Sequence, residues 1–338
     1  MLASMLMESA LGGVPNATPE AVAKYTHENG AVLIAMETAE DIHEIFLEGF
    51  YGLESLEFSH EKATMEGASQ DVLESIAGNI KAKAKNTIKM IREKLQSLWE
   101  KVKGFAKNVK TYILSVFQNG SKFAKAHQKE LKALNLGSDF TYDLYDYTIE
   151  ASCSKMSDAI SSTFDGVNSS LKTLSNASKT SDTGDRTLEK KKMIYDDLIK
   201  SSFGGDTDED SVNTYIWGAM RGNAKSTSDK NHMSGKIDAL VDALIGAPKL
   251  TTSFDNAWKK QDKMFKDAMA SCKDLETKAD KSDMTNLASL ASIYYTIVSK
   301  LSNLYNKVIG TAKGAVTEMV KSYMVVVRKA LRYKPQKD

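Results

Sequence analysis

The chain is poor in the residues that break helices and in those that staple small domains. Only four prolines occur in 338 residues, Pro15, Pro19, Pro248 and Pro335, so between Pro19 and Pro248 no ring clash interrupts a helix. The two cysteines, Cys153 and Cys272, are too few for a disulfide framework and read as buried free thiols in a reducing compartment. Long apolar runs are missing too. No window approaches the roughly 20 uninterrupted apolar residues of a membrane-spanning helix. Met1–Met7 is apolar, but the first basic residue is Lys24, so no secretion signal is expected. Strand signals are weak, the best being the short run Ala31–Ala35.

Catalytic signatures are lacking as well. The five histidines, His27, His43, His60, His127 and His232, form no HExxH pair and no Cys/His cluster. No GxSxG, Walker loop or GxGxxG opens a helix. Asp206, Asp208 and Asp210 resemble the opening of a calcium loop. Its sixth position is Ser211 rather than Gly, and its twelfth is Trp217 rather than a bidentate Glu. The expectation is a protein that is not an enzyme, with no catalytic residue, no metal site and no cofactor.

What remains is helix. The chain is 42% hydrophobic and 26% charged, which excludes a disordered polyampholyte and suits a folded globular chain. In 80–118, Ile88, Ile91, Leu95, Leu98, Val102, Phe105, Val109, Tyr112 and Val116 alternate gaps of three and four, one stripe along one helix. Leu287, Leu290, Tyr294, Ile297, Leu301, Leu304 and Val308 repeat the pattern, which persists to Val327. Neither stripe can be buried alone, and pairing them buries both. Shorter helices are expected at 131–136, 140–174, 187–203, 212–220, 236–245 and 254–275. The fold expected is all-α, an elongated helical bundle over 80–334 with linkers near 175–186 and 204–235, preceded by an acidic leader over 1–78.

Charge is the other organised feature. Residues 1–78 hold fourteen Asp/Glu against Lys24 and Lys62, a balance of −12. Residues 80–135 hold fourteen Lys/Arg against Glu93, Glu100 and Glu130, a balance of +11. Such blocks fit either intramolecular masking or a leader removed to release a polycation. The candidate nucleic-acid face is Lys81, Lys83, Lys85, Lys89, Lys94, Lys101, Lys103, Lys107 and Lys110. Lysine neutralises phosphate without the planar fork that reads base edges, so contact would be sequence-blind. The plainer reading is a bundle helix whose lysines face water. An interfacial membrane helix, built on Trp99, Phe105 and Phe117, fits the strict heptad less well than a partner helix does.

Within the leader, Ala35-Met36-Glu37, Ser55-Leu56-Glu57 and Ser59-His60-Glu61 each place a small residue two positions before a glutamate, and Ile42-His43-Glu44 is an aliphatic variant. On these tripeptides, over residues 1–61, the chain resembles internal head proteins of large tailed phages. In that family a prohead protease trims after such a glutamate. The resemblance implies processing at Glu37, Glu57 or Glu61. Residues 1–61 carry eleven Asp/Glu and one Lys, so cleavage after Glu61 would take the chain from +1 to +11.

The function expected is therefore a virion structural protein, an internal head protein assembled in the host cytoplasm and lying in the virion interior. Its partners would be other virion or capsid proteins, the processing protease, and DNA through non-specific phosphate contacts. The alternatives are a helical effector or ejected membrane-active protein, and a scaffold or adaptor whose acidic leader binds a basic partner.

Overall fold

The computed structural model describes residues 19–134, 136–145, 148–158, 160–161, 164–165, 231–278 and 284–333. The linker expected at 175–186, the helices expected at 187–203 and 212–220, and the acidic loop at 206–210 lie outside them. Of the described residues, 89% are helical, and the protein is an all-α helical bundle. Its elements are α1 (Pro19–Glu44), a π-helical segment (Ile45–Tyr51), α2 (Gly52–Met65), α3 (Gln70–Ala133), β1 (Thr141–Leu144), β2 (Asn231–Ser234), α4 (Asp238–Gly246), a 3-10 turn (Ala247–Leu250), α5 (Thr251–Lys278) and α6 (Met284–Leu331).

These residues fall into two compact units. One draws on Met1–Phe105, Phe164–Leu198 and Gln261–Leu304, the other on Ala106–Thr163, Ile199–Lys260 and Tyr305–Asp338. Helices α3, α5 and α6 contribute to both.

In the first unit, α1, the π segment and α2 run antiparallel to α3, joined to it by a tight turn. The turn is written in the backbone. Ala68 N–H bonds Ala63 C=O at 3.0 Å, Gly67 N–H bonds Thr64 C=O at 3.2 Å, and Gly67 takes φ of +69°. That is the Schellman closure, which needs a left-handed residue and finds a glycine. The charge boundary at Gly78 has no structural break: α3 passes straight through it. Ala31–Ala35, the best strand-like run in the sequence, lies inside α1, where neighbouring helical turns override a five-residue β preference.

Helix α5 is also antiparallel to α3, tied to it by Arg92–Glu276 at 2.7 Å and by Trp99 Nε1 donating to Asp262 at 2.9 Å. Helix α6 meets α1 through Tyr295–Asp41 and Asn303–Thr38, and meets α5 through Gln261 Nε2 donating to Ser302 at 2.8 Å. Thus α1 and α5 each bridge α3 and α6. From Ala291 to Ser299 only Thr296 of α6 escapes full burial, the mark of a helix enclosed on all sides at the middle of a core.

In the second unit α3 and α6 lie side by side and parallel. Lys313 Nζ sits 4.8 Å from the centre of the Tyr112 ring, and Arg328 caps Phe123 at 5.2 Å. Gly120 lets Val320 approach: a Cβ there would come within 3.0 Å of it. The helix expected from Phe140 opens instead as a strand. Thr141–Leu144 turns Tyr142 and Leu144 inward and Asp143 outward, and pairs antiparallel with Asn231–Ser234. Four residues of alternating burial satisfy the period of two locally, although the apolar spacing further along is helical. Helix resumes at 149.

The α3 stripe differs from the heptad in its second half. The buried positions are Ile88, Ile91, Leu95, Leu98 and Val102, then Ala106, Val109, Ile113, Phe117 and Ala124. Phe105, Tyr112 and Val116 are only half-buried. After Val102 the buried positions step by four, three, four and four (102, 106, 109, 113, 117), so pairs eleven apart (102/113, 106/117, 113/124) join pairs seven apart (102/109, 106/113, 117/124). Each added step of four brings the average spacing of the buried line closer to the turn of a straight helix than a strict heptad does.

Candidate nucleic-acid interface and its acidic cover

The nine lysines of the candidate face divide by helical position. Lys83, Lys94 and Lys101 lie on the flank of α3 that meets α1, the π segment and α2, together the acidic hairpin, while Lys110 turns to α5. Lys94 is held on two sides, its Nζ 2.7 Å from Asp41 Oδ1 and 2.7 Å from Glu44 Oε2. Burial works against its charge, but the hydrogen bonds and charges of Asp41 and Glu44 outweigh it and hold the Lys94 pKa above the ordinary lysine value. Lys101 pairs with Glu37 at 2.8 Å. Lys110 pairs with Asp255, and the Lys83 stem lies under Gly52, where an added Cβ would meet its Cε at 2.8 Å.

The other side of α3 faces outward. Lys85, Lys89, Lys103 and Lys107 are exposed, and Lys81 is half-buried. Two of the exposed ones have local ties: Lys89 stands 3.9 Å from Glu93, one turn on, and Lys103 stands 3.9 Å from Glu100 with its Nζ 4.4 Å over the Trp99 ring. Exposed pairs of this kind contribute at most about 1 kcal/mol and leave the ammonium groups open to water and phosphate. Lys122, Lys125, Lys129 and Lys132 are exposed as well. In the second unit Arg328, Lys329 and Arg332, part of a stretch with five basic residues from Arg328 to Lys337, line a cleft of about 630 Å³ with Phe140, Val325 and Tyr333.

The carboxylates opposite are legible in sequence only as bulk charge. Of the processing candidates, Glu37 sits in α1 on Lys101, while Glu57 and Glu61 sit in α2, half-buried and exposed respectively. Asp41 belongs to no motif, yet it engages two partners. Its Oδ1 takes Lys94 and its Oδ2 accepts the Tyr295 hydroxyl at 2.6 Å. Asp262, likewise outside any motif, meets burial that favours its neutral form. Hydrogen bonds from Lys266 and Trp99 overcome this and lower its pKa.

Trp99 and Phe105, the candidate interfacial residues, are half-buried, and Phe117 is fully buried. No helix among the described residues is long and apolar enough to cross a membrane. Cys153 and Cys272 are buried thiols pushed up to about 12, chiefly by desolvation. Among the described residues no three His, Cys, Asp or Glu gather where they could hold a metal ion.

Comparison of the chain with protein-family models, with curated proteins and with solved structures finds no match.

Proposed function

We propose that the protein is a non-enzymatic virion structural protein, an internal head protein that lies with or beside DNA once its acidic N-terminal segment is removed. The observation that carries this reading is a coincidence of roles. Glu37 and Glu44, which end two tripeptides of the processing form, are the same carboxylates that neutralise Lys101 and Lys94. Removing residues 1–61 would strip these shields and raise the net charge by ten. Phosphate contact strengthens with each uncovered lysine, because each one releases a condensed counterion.

The same geometry favours one cleavage point over the others. A protease threads extended chain, so a glutamate inside a helix is reached only by local opening. Glu61 is exposed and lies four residues from the end of α2, where opening is easiest, whereas Glu37 lies deep in α1. Loss of the segment would also uncover apolar surface, since Ile34, Ile45 and Leu53 are buried. Neighbouring capsid proteins would then cover it. Intact-mass measurement of the protein from mature particles tests the reading. The expected N-terminus is Lys62, and an intact Met1 would end it. That burial also favours a second reading, a scaffold or adaptor that keeps its hairpin, and the same measurement decides between the two.

A further inference from the structure

Large apolar side chains left in water are concentrated in one place. Of the nine exposed ones among the described residues, seven (Val32, Phe46, Leu47, Tyr51, Phe58, Met65 and Val72) fall between 32 and 72, on or beside the hairpin. Scattered exposed leucines and valines are ordinary, but a contiguous apolar patch marks a contact surface.

The patch is ordered. Leu47, Tyr51, Glu54, Phe58, Glu61 and Met65 follow one another at gaps of four, three, four, three and four, which is a heptad seam along one side of a helix. Tyr51 is 67% exposed, Phe58 69% and Met65 86%. On the opposite side Ile45, Gly49 and Leu53 are buried, with Gly49 pressed on Thr87 and Gly52 on Lys83. The inner side is therefore already engaged by α3. The π-helical segment fits this division. Successive four-residue spacings would walk the inner line around an ordinary α-helix, and the wider turn of Ile45–Tyr51 takes up the drift. One consequence is that Leu47 and Tyr51 stay on the outer line with Phe58 and Met65.

The seam carries one sign of charge. Glu54 and Glu61 occupy seam positions, Glu57 and Glu66 flank them, and Lys62, 3.9 Å from Glu66, is the only Lys or Arg between 45 and 69. Seam-to-seam pairing of two copies would bring two acidic lines together with only Lys62 of each to offset them, which disfavours that contact. An anionic lipid surface or a nucleic acid is repelled for the same reason. A helix with apolar residues in heptad register and Lys or Arg beside them satisfies both the aromatic groups and the carboxylates.

We infer that the outer seam of the hairpin, Leu47 to Met65, is a docking surface for a basic amphipathic helix of a partner protein. This goes beyond the head-protein reading and does not depend on whether the segment is later removed. The partner helix lies along the seam, its apolar residues between Tyr51, Phe58 and Met65 and its cations on Glu54 and Glu61.

The test uses the full chain and a synthetic helix of about four heptads, with Leu at the core positions and Lys at the flanks, beside a twin with Glu at the flanks. Binding is read by fluorescence anisotropy, and the fold of each variant by circular dichroism. The Lys helix is expected to bind one to one and the Glu twin not to bind. Tyr51→Ser with Phe58→Ser should weaken the Lys helix by roughly tenfold or more. Glu54→Lys with Glu61→Lys, both at exposed positions that leave the fold intact, should reverse the preference in favour of the Glu twin. No binding of the Lys helix, or equal binding to wild type and both variants, overturns the proposal. So does sedimentation showing that wild type self-associates through this face and that the Tyr51/Phe58 variant does not.

Discussion

The Tyr295 hydroxyl donates to Asp41 Oδ2 at 2.6 Å from a ring that is almost wholly buried, and so joins the central helix α6 to the acidic segment. Burial and the neighbouring Asp41 carboxylate both raise the pKa of the phenol, which stays protonated and stays a donor. Asp41→Ala would orphan this hydroxyl and strip one of the two carboxylates from Lys94. A buried donor left without its charged acceptor costs about 1.5–3 kcal/mol, so the expected loss is at the upper end of that range. Tyr295→Phe leaves no orphaned donor and should cost less, about 1 kcal/mol. Urea unfolding of both single variants and the double variant checks this, with a coupling expected between them.

Helix α3 shows how far periodicity carries and where it stops. Ile88 to Val102 are legible because every apolar gap is three or four. Phe105, Tyr112 and Val116 also fit the gaps, yet Ala106, Ile113 and Phe117 are the buried set. The heptad and eleven-residue repeats share their first members, and only packing separates them. The nine lysines look alike in sequence. Asp41 and Glu44, some fifty residues away, distinguish Lys94 from Lys89, and no local pattern records that. Tyr142 and Leu144 are hidden in the same way, because the strand partner lies some ninety residues further on.

Two glycines of the first unit should respond in opposite directions. A Cβ on Gly49 would lie 2.6 Å from Thr87 Cγ2, a β-branched side chain with little rotamer freedom. A Cβ on Gly104, within α3, meets nothing within 4 Å. Gly104→Ala should therefore stabilise by up to about 1 kcal/mol through helix propensity alone. Gly49→Ala gains the same propensity but forces the π segment and α3 apart, and a net destabilisation of about 1–2 kcal/mol is expected. Thermal unfolding of the pair gives the two signs directly.

The Lys94 site makes a prediction in pH. Its folded pKa lies above the unfolded lysine value, so its contribution is complete below the unfolded pKa, about 10.4, and fades as pH rises through the folded pKa. In Lys94→Met that contribution is missing at every pH. The difference in unfolding free energy between wild type and variant should be constant across the neutral range and shrink above about pH 10.4. A difference that instead vanished towards acid would assign the effect to the carboxylates.

DNA affinity should separate the two sets of lysines in the intact chain. Lys85, Lys89, Lys103 and Lys107 face water, whereas Lys94 and Lys101 face Asp41, Glu44 and Glu37. Replacing the four outer lysines by Glu removes their pairing with phosphate. Binding to a random-sequence duplex should weaken, and the slope of log affinity against log salt should flatten by about 0.9 for each phosphate no longer neutralised. Replacing Lys94 and Lys101 by Gln should lower stability and leave both affinity and slope unchanged, because their charge is already neutralised. After cleavage at Glu61 the distinction should disappear: Lys94→Gln with Lys101→Gln would then flatten the slope by about 2. If the inner pair counts equally before and after cleavage, the hairpin is not a shield. If the outer four do not count at all, α3 does not carry the DNA contact.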